Sequence, residues 1–239
     1  MWSGPRNIST AMMRSFSSRP DCFVSDEPFY GAFLRETGAD HPMRDEVIAS
    51  METDWRQIAE AMAGDPPDGS AVWYQKQMAH HMVGPIAPDD IEGVTHAFLN
   101  RDPRRMVASY ARKREEVAAE DLGVSQLRAF FEREADRKGT APAVVDSADV
   151  LADSAATLSA LCVALDIPWT EAMLRWRTGR HPQDGVWASH WYGRVECSSG
   201  FEGEEDVEMP SLDPHLQAVA DACHDDYQYM ARFRLGEFR

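Results

Sequence analysis

The sequence predicts a single α/β domain over residues 1–239, with a central parallel sheet of four or five strands and helices on both faces. Two observations carry this. Short apolar runs such as 95–100 and 141–146 alternate with longer stretches of helical periodicity, the pattern of repeated strand–helix units. No internal repeat, heptad array, low-complexity tract or domain linker interrupts that alternation. A chain of 239 residues that is 44% apolar can also bury a sizeable core.

The elements follow in order. Gly4-Pro5 neither continues a strand nor sits inside a helix, so the chain turns there. Ser9 and Thr10 are N-cap types, and a helix-forming run follows over about 9–18, ending before Arg19-Pro20. Only Met1, Trp2 and Ser3 precede the turn. Either the first strand is very short or the start lies upstream of Met1. Residues 22–25 read as the next strand, 26–30 as the loop after it and 35–41 as a flexible loop. Over 44–63, Val47, Ile48, Met51, Trp55, Ile58 and Met62 recur at helical spacing and predict one amphipathic helix.

Gly and Pro mark 64–69 as a loop, and 71–76 is a strand ending at Lys76. Residues 95–100 are a buried strand, and Pro103 opens a helix that runs to about 118. A further helix covers 125–138 and a strand 141–146. Asp153 or Ser154 caps the helix that follows, to about 165. Residues 178–192 are rich in Gly and aromatics without periodicity, a long loop that buries Trp187 and Trp191. An acidic solvated run, 202–208, precedes a final helix, 215–232, packed on the sheet.

Charge and composition narrow the function. Lys and Arg number 24 against 40 for Asp and Glu, a net charge of −16. That charge disfavours nucleic acid and anionic membrane as partners. Positive charge is concentrated at Arg101, Arg104, Arg105, Arg112, Lys113 and Arg114. No apolar run approaches the ~20 residues needed to span a bilayer, and Arg6, Arg14 and Arg19 interrupt any apolar leader. Cys22, Cys162, Cys197 and Cys223 lack CxxC spacing and read as reduced cytosolic thiols. Asp26 and Glu27 have no His or Asp cluster beside them, so no metal site is expected.

Two stretches carry the chemistry. A tight turn feeding a helix N-terminus aims backbone N–H groups, and roughly half a positive charge, at one spot suited to phosphate or sulfate. Pro5, Arg6, Asn7, Ile8, Ser9 and Thr10 form such a turn, which lacks the Walker pattern. It resembles the 5′-phosphosulfate loop of sulfotransferases, P-[KR]-S-G-[ST]-T. The basic residue and both hydroxyls keep their places, while Asn7 and Ile8 stand where Ser-Gly is usual. The second stretch, Arg101-Asp102-Pro103 followed by Ser109, resembles R-[ND]-P-x-x-x-x-x-S-x, whose Arg and Ser hold the 3′-phosphate of the nucleotide. Both motifs occur in the family's order, so the chain resembles the sulfotransferase superfamily, in a small bacterial-looking branch.

That resemblance implies a P-loop-like sulfotransferase fold and 3′-phosphoadenosine 5′-phosphosulfate as co-substrate, with no metal. Arg6 and the loop would stabilise the departing nucleotide, and Lys76 would add charge to the transferring group. The family's K-x-H pattern puts its base two residues after the Lys, where this chain has Met78. The base would then be His80 or His81, and the sequence does not choose between them. Asp26, Glu27, Phe29 and Tyr30 would face the acceptor, a small hydroxyl- or amine-bearing molecule. If the segment beginning at 178 is the family's lid, Arg177 or Arg180 would reach a phosphate. Ser147-Ala148 departs from the family's Tyr-Glu-Asp, which argues against a nucleotide role there. Two rival readings stand beside this one: a nucleotide-binding protein that has lost catalysis, and a P-loop kinase.

Overall fold

The computed structural model describes residues 1–114, 116–202 and 208–236. In chain order its first elements are β1 (Trp2–Ser3), α1 (Ser9–Ser17), β2 (Cys22–Asp26), α2 (Tyr30–Thr37), α3 (Arg44–Ser50), α4 (Trp55–Ala63), β3 (Val72–Met78), β4 (Ala97–Asn100) and α5 (Pro103–Tyr110). They are followed by α6 (Ala119–Leu122), α7 (Val124–Lys138), β5 (Ala143–Asp146), α8 (Ser147–Ala152), α9 (Ser154–Ala164), α10 (Ala188–Trp191), α11 (Gly193–Glu196), α12 (Pro214–Ala222) and α13 (His224–Ala231). The fold is α/β: a five-stranded parallel sheet, in the order β2-β3-β1-β4-β5, flanked by helices. No helix among the described residues is long and apolar enough to cross a membrane.

The chain divides into two compact units. One comprises Met1, Thr10–Thr95 and Glu171–Gly200. Its strands β2 and β3 pair in parallel from Cys22↔Val72 to Asp26↔Lys76. Gln77 N–H donates to Met1 O at 2.9 Å beyond them. Met12, Met13 and Phe16 on α1 are buried, and Phe16 stacks on Tyr74 of β3. A second apolar cluster gathers Tyr30, Phe33, Leu34, Val47, Trp187 and Tyr192.

The other unit comprises Trp2–Ser9, His96–Thr170 and the described part of Phe201–Arg239. Strand β4, AFLN, is buried along its whole length, as expected of a parallel strand covered on both faces. It pairs with β1 (Trp2↔Phe98) and with β5 (Asn100↔Asp146). The first strand is therefore real but only two residues long. Gly4 follows it at a close approach, since a Cβ there would lie 2.4 Å from Leu122 O. Helix α13 lies against β4 and β5, and α7 against β1.

Several boundaries differ from the sequence reading. Residues 35–37 end helix α2, closed by Gly38 in the left-handed conformation, so 35–41 is not a free loop. The predicted helix 44–63 is two helices. Met51 turns extended, and Asp54 caps the second helix by accepting from Arg56 N and Gln57 N. The helix opened by Pro103 stops at Tyr110 rather than 118. The final helix is interrupted at Cys223, giving α12 and α13. Asp153 caps α9, accepting from Ala156 N. Of the acidic run 202–208, positions 203–207 lie outside the described residues.

Candidate active site

The site residues named from sequence fall into two groups, one in each unit. In the unit built on β4 and β5, the turn after β1 carries Pro5, Arg6, Asn7, Ile8 and Ser9. Arg6 and Ile8 have φ of 59° and 52°, and Asn7 between them does not share that sign. Residues of alternating φ can turn successive N–H groups to one side, the geometry found in anion-binding concavities. A left-handed backbone is costly for a β-branched residue such as Ile8, and strain of this kind clusters at functional sites. It sits where the resembled loop has Gly, the residue that adopts this conformation freely.

Side chains knit the turn together. Arg6 Nε donates to Ser109 Oγ at 3.0 Å, and Arg101 Nη1 donates to Arg6 O at 2.7 Å. The spacing of eight between Arg101 and Ser109 thus brings both onto Arg6, through the end of β4 and helix α5. Asn7 is 1% exposed, and its Nδ2 donates to Leu99 O at 2.6 Å. Ser147, doubted from sequence, is fully buried, with Oγ 3.0 Å from Asn7 Oδ1 and 2.9 Å from Asn100 O. It acts on the loop through Asn7. A small buried hydroxyl at the end of β5 is a weak signal, and only the pairing of β4 with β5 reveals it.

The other group forms where β2 and β3 end. The register places Asp26 opposite Lys76 at the C-terminal edge, where open α/β sheets bind ligands. Lys76 is 1% exposed. Its Nζ donates to Asp26 Oδ1 at 2.8 Å, Glu27 Oε1 at 2.5 Å and Tyr192 OH at 2.6 Å. Burial alone would lower the Lys76 pKa, but Asp26 and Glu27 more than reverse that and raise it. Glu27, with φ 46°, moves up as well: burial raises it, Lys76 opposes and Asp26 adds to the rise. Two carboxylates around one ammonium leave an excess negative charge at this edge.

His80 and His81 lie just beyond, in the 3-10 turn Ala79–His81. The sequence does not choose between them. Both are buried, at 9% and 3%, and both Nδ1 atoms lack a hydrogen-bond partner among the described residues. His81 stacks on Tyr30, at 4.6 Å between centroids, and packs against Phe33, at 4.8 Å. Its Nδ1 is 3.9 Å from Glu27 Oε2. Burial, then His41, pushes His80 down to about 3. Burial, then His80, His41 and Lys76, holds His81 well below its ordinary value.

The remaining named residues are placed as follows. Thr10 belongs to α1, in the unit of Lys76. Tyr30 OH is 2.8 Å from His41 Nδ1. Phe29 is buried and stacks on Trp55 in the core. Arg177 and Arg180 are exposed, and Arg180 Nη2 donates to Gly185 O at 3.4 Å.

The segment 181–192 is anchored by groups the sequence reading missed. Arg14 forms a bidentate pair with Asp184, both bonds 2.6 Å and both side chains buried. Gly185 N–H donates to Asp26 Oδ2 at 3.3 Å, and Trp187 Nε1 donates to Tyr192 OH at 3.1 Å. Trp187 is buried, while Trp191 is only half-buried.

Comparison with known proteins fits this architecture. The profile of a family described as sulfotransferase domain matches residues 1–228, and the chain belongs to that family. Among curated proteins, it is 34% identical over 204 residues to the branched-chain-amino-acid aminotransferase-like protein 2 of Arabidopsis thaliana, covering 85% of this chain and 36% of the relative. Protein 1 of the same name and organism is 35% identical over 201 residues, covering 84% and 36%. The chain thus spans little more than a third of the length of these relatives. Among solved structures, it resembles the sulfotransferase domain of the Synechococcus PCC 7002 olefin synthase, with a TM-score of 0.54 and 16% identity over 95% of this chain and 93% of that one. At that identity the likeness is one of fold.

Proposed function

We propose that the chain transfers a sulfuryl group from 3′-phosphoadenosine 5′-phosphosulfate to a small hydroxyl- or amine-bearing acceptor. The observation that carries this is the Arg101–Arg6–Ser109 connection around a turn with alternating φ. It gathers two guanidinium groups, a hydroxyl and converging N–H groups, the donor set that a doubly phosphorylated nucleotide calls for. In this reading Arg101 and Ser109 take the 3′-phosphate, and Pro5, Arg6, Asn7, Ile8, Ser9 and Thr10 take the phosphosulfate. Arg177 and Arg180, both exposed, are further candidates for a phosphate.

The acceptor oxygen or nitrogen bonds to sulfur while the bond from sulfur to the bridging oxygen breaks. The nucleotide leaves with the electron pair, and fixed cations stabilise the charge that develops. On the acceptor side Lys76 holds the Glu27 carboxylate in place. The acceptor's proton goes to a base, and Glu27 suits that role better than either histidine. An imidazole held far below neutrality gives little driving force for proton abstraction, whereas a carboxylate raised by burial gains it. The reaction calls on no metal. A reducing cytoplasm fits the four free thiols. The net charge of −16 argues for small-molecule partners rather than nucleic acid or membrane.

The test is calorimetry with 3′-phosphoadenosine 5′-phosphate and AMP. A charge-assisted contact is worth about 1.5–3 kcal/mol, so AMP should bind at least tenfold more weakly. Equal affinity would overturn the assignment. A specific observation favours one alternative, a nucleotide binder without catalysis: Met78 stands where the family's K-x-H pattern puts its base, and burial pushes both histidines beyond it below their ordinary value. Tight nucleotide binding with no transfer to any phenol, alcohol or amine would establish it.

A further inference from the structure

We propose that Tyr192 is the positioning residue for Lys76. Its phenol oxygen fixes the ammonium at the ends of β2 and β3 and ties it to the segment 184–192. The proposal rests on the role given above to Lys76, which holds Glu27 in the sulfuryl-transfer reading.

An ammonium has three N–H donors and no acceptor. Those of Lys76 are all used, on Asp26, Glu27 and Tyr192. Two of these partners are carboxylates on consecutive residues of one strand end, which leaves the third direction to be set by a group from elsewhere. Tyr192, 116 residues away in sequence, supplies it. The Tyr192 hydroxyl is itself fully committed. It donates to Asp26, with both carboxylate oxygens at 2.8 Å, and accepts from Lys76 and from Trp187 Nε1.

The phenol stays protonated. Burial, then Asp26 and Glu27, raises its pKa well above the ordinary value. The charged and titratable groups facing Lys76 are therefore Asp26, Glu27, Tyr192 and His81. Only Tyr192 joins them to the 184–192 segment by a direct bond to Nζ. Gly185 N–H, on Asp26 Oδ2, makes the second tie.

The chain suits a direct test, because its lysines are Lys76, Lys113 and Lys138 alone. Ammonium protons are seen by 15N NMR only when burial and hydrogen bonding slow their exchange. In protein labelled at lysine Nζ, Lys76 should give a resolved ammonium signal at neutral pH. Tyr192→Phe removes one oxygen and keeps the ring. It should broaden that signal away, speed amide exchange over 184–192, and lower kcat about tenfold while the affinity for 3′-phosphoadenosine 5′-phosphate stays within twofold. An unchanged Lys76 signal and unchanged exchange would overturn the proposal. Should Tyr192→Phe fail to fold, Trp187→Phe keeps the phenol but removes its N–H donor. The same changes, smaller, are expected, and their absence counts equally against the proposal. The NMR and exchange readouts need no turnover. If the wild type bound no nucleotide, the sulfuryl-transfer reading would fall, while the positioning role would be decided on the lysine signal.

Discussion

The hydroxyl of Ser147 lies 3.0 Å from the side-chain oxygen of Asn7, 140 residues earlier in the chain. Through this contact the end of β5 braces the phosphate-type turn after β1. Ser147→Ala should leave Asn7 Oδ1 buried with one partner fewer. A buried polar atom that loses its partner costs about 1–3 kcal/mol. The variant should be destabilised by that order and should bind 3′-phosphoadenosine 5′-phosphate several-fold more weakly. Denaturant unfolding and calorimetry read the two effects. Full stability with unchanged affinity would show that the turn holds without the brace.

Ile8 offers a test of strain. A left-handed residue with a side chain costs roughly 1–2 kcal/mol, and Gly at such a site removes that while adding about 0.4–1 kcal/mol of unfolded-chain entropy. Some contact of the half-buried Ile8 side chain is also lost. The opposing effects nearly cancel, so Ile8→Gly should sit within about 1 kcal/mol of wild type. Ile8→Ala keeps the backbone cost, loses the contacts and should be the less stable of the two. Thermal unfolding of both decides it, and the reverse order would remove strain from the account.

Glu27→Gln should lower turnover by about a hundredfold or more, the range a positioned general base supplies, with nucleotide affinity nearly unchanged. His80→Asn and His81→Asn should retain far more activity. Steady-state rates with any accepted acceptor compare the three. A collapse in either histidine variant, with Glu27→Gln active, would return the base to the 3-10 turn.

Asp146 predicts a pH effect on stability. It caps α8 by accepting from Ala148 N at 2.9 Å, and burial pushes its carboxyl up to about 6 from the model-peptide value of 3.8. Between those values the folded state holds more proton than the unfolded one. This group's contribution is therefore full below the lower value and lost as pH rises through the higher one, by up to about 3 kcal/mol. Asp146→Asn keeps a capping side chain and cannot titrate. Relative to the variant, the wild type should lose stability between pH 4 and pH 7. A difference that stays flat over that range would refute the shift.

Much of the turn after β1 and its junction with β4 and α5 was legible in the sequence because the signals are local. Gly4-Pro5 marks the turn, Ser9 opens the helix, and the spacing of Arg101 and Ser109 places both at one strand–helix junction. The helix breaks at 51–54 and at Cys223 were hidden for a different reason. Apolar residues keep helical spacing across both, so periodicity runs on where the backbone does not. Thr53-Asp54 is a cap-type pair that could have revealed the first break. Ser147, Asp184 and Tyr192 were out of reach, since each acts on a partner more than a hundred residues away. Lys76 was read as a cation for the reaction, but nothing near it in sequence shows that three partners hold it.

The bond between Arg14 and Asp184 spans 170 residues, and it belongs to a unit assembled from two distant stretches of chain. During synthesis residues 10–95 leave the ribosome well before 171–200. At roughly 5–20 residues per second, that delay lasts several seconds at least. Over that interval Asp26 and Lys76 lack Tyr192, and Arg14 lacks its counter-ion, so charges destined for the interior remain in water. The β2–β3 half is then expected to stay hydrated until the later stretch arrives, and protease should cut ribosome-bound chains that stop short of residue 171 within 10–95. Protection of that region in such chains would mean that the late segment arrives on a structure already formed.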